Sequence, residues 1–417
     1  SAGWRVEQED FMKNLTWIDA LKLRASWGKN GNINNIGLYD TYSTYNNTGT
    51  ALIGGQSQSV LTEGRIGNKD LTWEKSDQYD VGLDLQVLDY RLKFKLDYYY
   101  KYSSNLLMQK YLPGNFFYTD KVWDNISAIS NEGIEFEMQA DLIRSKDLNL
   151  SVGLNVSHNR NLFRKTHNGE DLNDKVLGRP VYGIYTFQDE GIVKDESEIP
   201  YHYSQTGARL PLYFGNPNYP LRVGGRKIKD QNMDGKIDNS DLYYAGSTLP
   251  TAYGGINGHL DWKGFNVDVL FSYVLGRKVM NMVQNSAFSF NKTVNPLMGH
   301  FRANEYWSKD NPNAKKPALE FADPGYLGHF DGNVDSNIEN ISFLRLKQLV
   351  LGYTLPATWF KSKFIKSVNV YLSGENLFML TNYSGLDPEV IDPYTGKDDG
   401  SQYPLNRKLT LGINVKF

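Results

Sequence analysis

The densest group of side chains able to do chemistry is Asp230-Gln231-Asn232-Met233-Asp234-Gly235-Lys236-Ile237-Asp238-Asn239-Ser240-Asp241. Oxygen donors fall at loop positions 1, 3, 5, 9 and 12 (Asp230, Asn232, Asp234, Asp238 and Asp241), Lys236 at position 7 offers its carbonyl, and Gly235 at position 6 permits the tight turn. This is the spacing of an EF-hand-type calcium loop, in which carboxylate and carbonyl oxygens replace the water shell of a hard cation. Asp241 stands where such loops usually carry Glu, and its shorter side chain makes bidentate reach less assured. The flanks Lys227-Ile228-Lys229 and Leu242-Tyr243-Tyr244 read as strand. A calcium sensor needs a bistable helix pair, so the expected role is structural: calcium, with magnesium as the alternative ion, stiffening a long loop. The competing reading is a metal-free Asx-rich turn. Four carboxylates crowded together favour a counter-ion.

No other constellation emerges. The six His are scattered, and the chain contains no zinc-helix, nucleophile-elbow, Walker or dinucleotide motif. The absence of Cys removes disulfides, thiolate metal sites and thiol nucleophiles. Glu135, Glu137 and Asp141 share one strand face, as Arg24, Lys93 and Lys95 do on others; a polar wall explains them better than a glycosidase pair. No catalytic residue is expected, so the chain reads as a non-enzyme. A formal net charge of −2 excludes nucleic acid as the main partner. Mean hydropathy is −0.51, and no apolar run approaches the ~18 residues of a membrane helix. A transmembrane β-barrel, which needs only alternation, remains open.

The elements that must position these residues are strands. Apolar and polar residues alternate at 79–87, 92–98, 134–142, 148–156 and 409–417, and more weakly at 21–28, 251–262, 266–275, 343–354 and 368–379. That makes about ten strands of roughly nine to fourteen residues, longer than soluble sheets usually use. Leu88-Asp89-Tyr90, Ser145-Lys146-Asp147 and Lys263-Gly264 are tight hairpins, and 356–366 is a somewhat longer connection. The alternate connections, 30–70, 109–132, 162–250, 281–341 and 381–406, are long. Short turns at one end and long loops at the other, with Trp73, Trp123, Trp262, Tyr98 to Tyr100, Tyr353 and Trp359 near strand ends, favour an outer-membrane barrel with aromatic girdles; the alternation by itself leaves a soluble sheet sandwich or barrel open, and each aromatic taken singly reads as core packing. Ser1-Ala2-Gly3-Trp4-Arg5 has neither a start Met nor a signal segment. The expectation is a processed chain or a piece of a longer one.

Several segments also carry a family resemblance. Trp73-Glu74-Lys75 running into Gly82-Leu83-Asp84, Asp97-Tyr98-Tyr99-Tyr100-Lys101, Asn125 to Glu135, Asn311-Pro312-Asn313-Ala314, Phe343-Leu344-Arg345-Leu346-Lys347 with Leu351 to Pro356, and Ser373-Gly374-Glu375-Asn376-Leu377-Phe378 resemble, in order, the C-terminal part of SusC/RagA-type TonB-dependent outer-membrane transporters of Bacteroidetes. The terminal amphipathic strand ending at Phe417 resembles the recognition signal of outer-membrane barrels.

The resemblance implies an all-β fold: a transmembrane antiparallel β-barrel, of which residues 1–417 supply about ten C-terminal strands of roughly 22. The plug and N-terminal strands then come from elsewhere in the polypeptide or from a separate chain. It implies import of an oligosaccharide or peptide, driven through TonB by a contact in that missing part. It also implies a SusD-like lipoprotein lid, outer-membrane lipid as solvent, and a dimer of SusCD pairs. The rivals are a calcium-stabilised surface β-protein that binds glycans without transport, and a barrel enzyme.

Overall fold

The computed structural model describes residues 1–37, 39–112, 121–171, 175–204, 206–283, 305–318, 333–360 and 364–417. Two compact units divide the chain, Ser1–Val181 and Tyr182–Phe417.

The first unit is an antiparallel meander of β1 (Ala2–Arg5), β2 (Ile18–Asn32), β5 (Glu74–Val87), β6 (Leu92–Tyr111), β7 (Lys121–Arg144) and β8 (Leu148–Lys165), with a separate hairpin of β3 (Thr44–Ile53) and β4 (Gln56–Arg65) inside the first long connection. The turn between β5 and β6 holds Leu88, Asp89 and Tyr90 in the left-handed region, with φ of 61°, 57° and 61°. Side chains there cost energy that glycine would not. The Asp19 carboxylate accepts the Tyr90 N–H and helps hold the turn.

In the second unit, β17 (Ala252–Trp262), β18 (Phe265–Asn281), β19 (Ile338–Thr354), β20 (Ser367–Thr381) and β22 (Lys408–Lys416) follow one another as antiparallel neighbours. Ahead of β17 lie short strands that pair among themselves: β9 (Gly183–Thr186) with β16 (Tyr243–Ser247), β10 (Asp189–Ile192) with β14 (Arg226–Ile228), β11 (Tyr201–Tyr203) with β12 (Arg209–Pro211), and β13 (Tyr213–Phe214) in parallel with β15 (Lys236–Ile237). A two-residue strand, β21 (Lys397–Asp398), pairs with β18.

All ten expected strands are present. Two expected loops are largely strand: 30–70 holds the β3–β4 hairpin, and 109–132 extends β6 and β7. In the second of these, the expected open connection 109–132, β6 and β7 stay paired out to Tyr111 and Lys121. The register slips between Ser103 and Leu107, where Asn105 takes a φ of 55°. A bulge exchanges the two faces, so Leu106-Leu107-Met108 breaks the alternation while the ladder continues.

The apolar faces point away from protein. Val81, Tyr98 and Ile134 sit opposite one another across three inner strands, and they are 59%, 46% and 49% exposed. Leu351, Leu372 and Leu411 form a similar exposed row in the second unit. Central strands of a water-soluble sheet bury such rows. The opposite face carries charge. Arg24 spans to Asp84 at 2.9 Å and to Asp97 at 2.8 Å, above Gly82, where a Cβ would come within 2.2 Å of the Asp97 carboxylate. Lys95 and Glu137 pair at 3.3 Å on the same face. Trp262, Phe265 and Tyr353 cluster beside the Lys263-Gly264 turn, the aromatic edge expected at the short-turn end.

This arrangement makes Leu96→Arg, on the apolar face of β6, destabilising by roughly 2–4 kcal/mol. Lys95→Gln, one residue away on the polar face, loses only an exposed pair and should cost under ~1 kcal/mol. Urea unfolding of the bilayer-reconstituted complete protein measures both; equal costs would refute the assignment of faces.

Candidate functional site

Where the strands leave their hydrophobic cores outside, the described long loops build one of their own. Phe187, Val193, Leu212, Phe214, Leu221, Ile228, Ile237 and Val334 form a buried cluster. It draws together residues far apart in sequence. The Phe187 N–H donates to the Asn333 carbonyl at 3.1 Å, and Asp335 accepts the Asp189 N–H at 2.9 Å and the Tyr243 hydroxyl at 2.6 Å. Arg226 makes a buried ion pair with Asp189. Burial, with the Asp335 carboxylate beside it, pushes the Tyr243 phenol well above its ordinary range, so this tyrosine stays a hydrogen-bond donor. The loops are thus a folded module with a hydrophobic centre and a polar latch.

The expected calcium-type loop lies on this module. Ile228 before it and Ile237 within it are core residues, which anchors the loop at both sides. Asp230 accepts the amides of Met233 (2.7 Å) and Gly235 (2.8 Å); Asn232 accepts Asp234, and Asp234 accepts Lys236. Gly235 sits at φ 86° with His202 packed where a Cβ would stand. The flanks are strands β14 and β16, as expected, and the exit is a 3-10 turn over Asn239–Asp241 with a reciprocal cap: Asp238 accepts the Ser240 N–H and Asp241 accepts the Asp238 N–H.

The six positions therefore fold as one loop, with unequal electrostatics. Asp241 is fully buried. Burial pushes its carboxyl up and the charge of Asp230 adds to this, against the amides of Asp238, Gln231 and Asn232. Asp238 is held down at about 2, first by the Lys236 ammonium 2.5 Å away and then by the Ser240 amide. Lys236 thus supplies more than the carbonyl expected of it: its side chain is a built-in counter-ion at position 9. Among the described residues, no group of three or more His, Asp or Glu side chains stands together as a metal cage; the loop carboxylates are turned to the loop's own amides. The chemistry of the donor set still fits a hard cation. Each oxygen that accepts one amide keeps a second lone pair for a further partner.

Beside the loop is an open cleft of about 420 Å³ lined by Tyr201, His202, Tyr203, Asp230, Met233 and Asp234 among others. Sequence reading did not single it out, because its walls come from separate turns. It also missed the buried Arg345–Asp387 ion pair, whose only sequence signal is one cation among the apolar residues of Phe343 to Leu346.

Exposed apolar rows on long paired strands, charged opposite faces and a folded loop module define an outer-membrane β-barrel protein. More particularly, the TonB dependent receptor-like β-barrel family matches residues 12–377, and the chain belongs to that family. The family is non-enzymatic, and its members reside in the outer membrane. All of the chain aligns with TonB-dependent receptors P3 and P26 of Formosa agariphila at 27% and 29% identity, covering 41% and 42% of those proteins. It aligns equally with TonB-dependent receptor SusC of Bacteroides thetaiotaomicron at 27% identity, covering 39%. The chain thus spans about two fifths of the length of the curated relatives it matches. The solved structure of the RagAB peptide transporter superposes over the entire chain with a TM-score of 0.75 at 24% identity, covering 43% of that protein. The SusC/RagA-type resemblance read from the sequence is borne out.

The depressed Asp238 carboxyl sets a pH window. A folded-state value below the unfolded one stabilises the loop above the ordinary carboxylate range, and that contribution disappears as pH falls from about 4 through about 2. The Ser240 amide NMR shift should report loss of the cap in this window, and Lys236→Met should move the midpoint upward. A midpoint indifferent to Lys236 would contradict the assigned cause.

Proposed function

We propose that the chain forms the C-terminal wall and part of the extracellular mouth of a TonB-dependent importer for an oligosaccharide or peptide. The remaining strands, the plug and the TonB contact belong to the rest of the polypeptide, a SusD-like lipoprotein covers the mouth, and two such pairs associate. The observation that carries this reading is alignment of the whole chain with SusC and its superposition on the RagAB peptide transporter. The charged strand face and the folded loop module support it: they offer a hydrated wall and a preformed mouth. Uptake by cells expressing the complete transporter, measured with a labelled dextrin ladder and a labelled peptide digest, should fall at least ~10-fold when the proton gradient is collapsed or TonB is deleted. Energy-independent uptake of both would end the proposal.

In this reading the 230–241 loop holds a structural calcium, with magnesium as the alternative, through Asp230, Asn232, Asp234, the Lys236 carbonyl, Asp238 and Asp241. The ion would supply positive charge beside the buried Asp241 and take no part in transport chemistry. Calorimetry on the intact complex should give saturable calcium binding that Asp234→Ala weakens at least ~10-fold. Absence of binding in the intact complex removes the metal and leaves Lys236 as the loop's cation.

A further inference from the structure

The segment 382–407 does not run free between β20 and β22. It lies on the charged face of β18–β20, and the register identifies that face. Ser272, Arg345 and Met379 stand opposite one another across three strands. The flanking rows, Phe271–Leu346–Phe378 and Tyr273–Leu344–Leu380, end in Phe378 and Leu380, both exposed on the apolar side. Alternation therefore puts Arg345 on the other face, where its Nη2 lies 3.1 Å from the Met379 sulfur.

On that face Arg345 is only 4% exposed and pairs with Asp387, itself 2% exposed. Arg345 Nε stands 2.8 Å from Glu389 Oε2 as an ion pair, and Lys347 binds the other oxygen of Glu389. Asp387 also accepts the amides of Glu389 and Leu405, so one carboxylate ties the start of the segment to its end. Farther along, the Tyr383 hydroxyl donates to Asp398 at 2.5 Å, and the Ser384 N–H donates to Glu339 at 3.0 Å. Lys397 and Asp398 pair in parallel with Met280 and Asn281, beyond Leu275, where β17 ends its own pairing with β18. Val279, Ile341, Tyr383 and Ile391 form a buried apolar cluster between segment and strands.

A segment with its own apolar contacts, a strand pairing and a buried ion pair is held, not loose. We propose that residues 382–407 are a fixed ledge that shields the lumen face of β18–β20 and limits the size of what passes along this wall, with Arg345 as its positioning residue. The size limit rests on the import reading; the shielding does not.

The chain contains no Cys, so a thiol introduced here can be read in the complete transporter, in outer membranes, against the labelling of the unsubstituted protein. Ser272 faces Arg345, and its Oγ is buried with no hydrogen-bond partner, so the near-isosteric Ser272→Cys places a single thiol of this stretch under the ledge. Labelling by a small maleimide should be slow, and labelling by a polymer-linked maleimide slower still. Adding Arg345→Met should accelerate both on the order of 10- to 100-fold and narrow the gap between them, whereas Arg345→Lys should retain most of the protection. Replacing 384–404 with a short Gly-Ser linker should reproduce the Arg345→Met rates, so the test survives if Arg345→Met does not fold. Fast labelling with Arg345 and the ledge intact, or rates unchanged by the linker, would overturn the proposal. Shielding that persists in a transporter found not to import would leave the ledge standing and remove only its role in transport.

Discussion

A backbone in hydrocarbon must satisfy its own N–H and C=O groups, because lipid offers no partner. That requirement explains why the strands are long, why successive strands pair over nearly their full length, and why their turnings at one end are as short as Lys263-Gly264. It also inverts the usual placement of apolar residues. Val81, Tyr98 and Ile134 need no protein contact when lipid is their solvent, and the charged residues withdraw to the other face, where Arg24 bridges two aspartates.

Once the lipid face takes up most of the strands' apolar residues, the larger of the two buried apolar clusters among the described residues lies in the long loops. The Phe187–Val334 core is small and assembled from distant segments, so its polar latch matters: Arg226 with Asp189, and Asp335 with Tyr243, hold loops that no continuous strand connects. The 230–241 loop is part of this economy. Ile228 and Ile237 anchor it in the core while its carboxylates organise the turn outside.

What was legible in the sequence follows from the same division. All ten strands were readable because a strand with lipid on one side and water on the other must alternate. The extension of β6 and β7 was not, because beyond the bulge at Asn105 alternation no longer tracks one face. The 230–241 loop was readable because its donors are local and their spacing is set by one turn. The side-chain role of Lys236 was hidden, since the motif uses only its carbonyl. The loop core and the Arg345–Asp387 pair were beyond reach for a simpler reason: their partners lie tens of residues apart, and nothing periodic connects them.

The parallel pairing of β21 with β18 joins Met280–Asn281 to Lys397–Asp398, with β19 and β20 intervening. Contacts of such sequence separation are entropically expensive to close early. They gain their return only after the intervening strands have fixed the ends. The long-loop end of this unit therefore takes its order from the strands it is built on. Order in this layer, and with it the seating of Lys397–Asp398 on β18, is conditional on the strands that bring the two ends together.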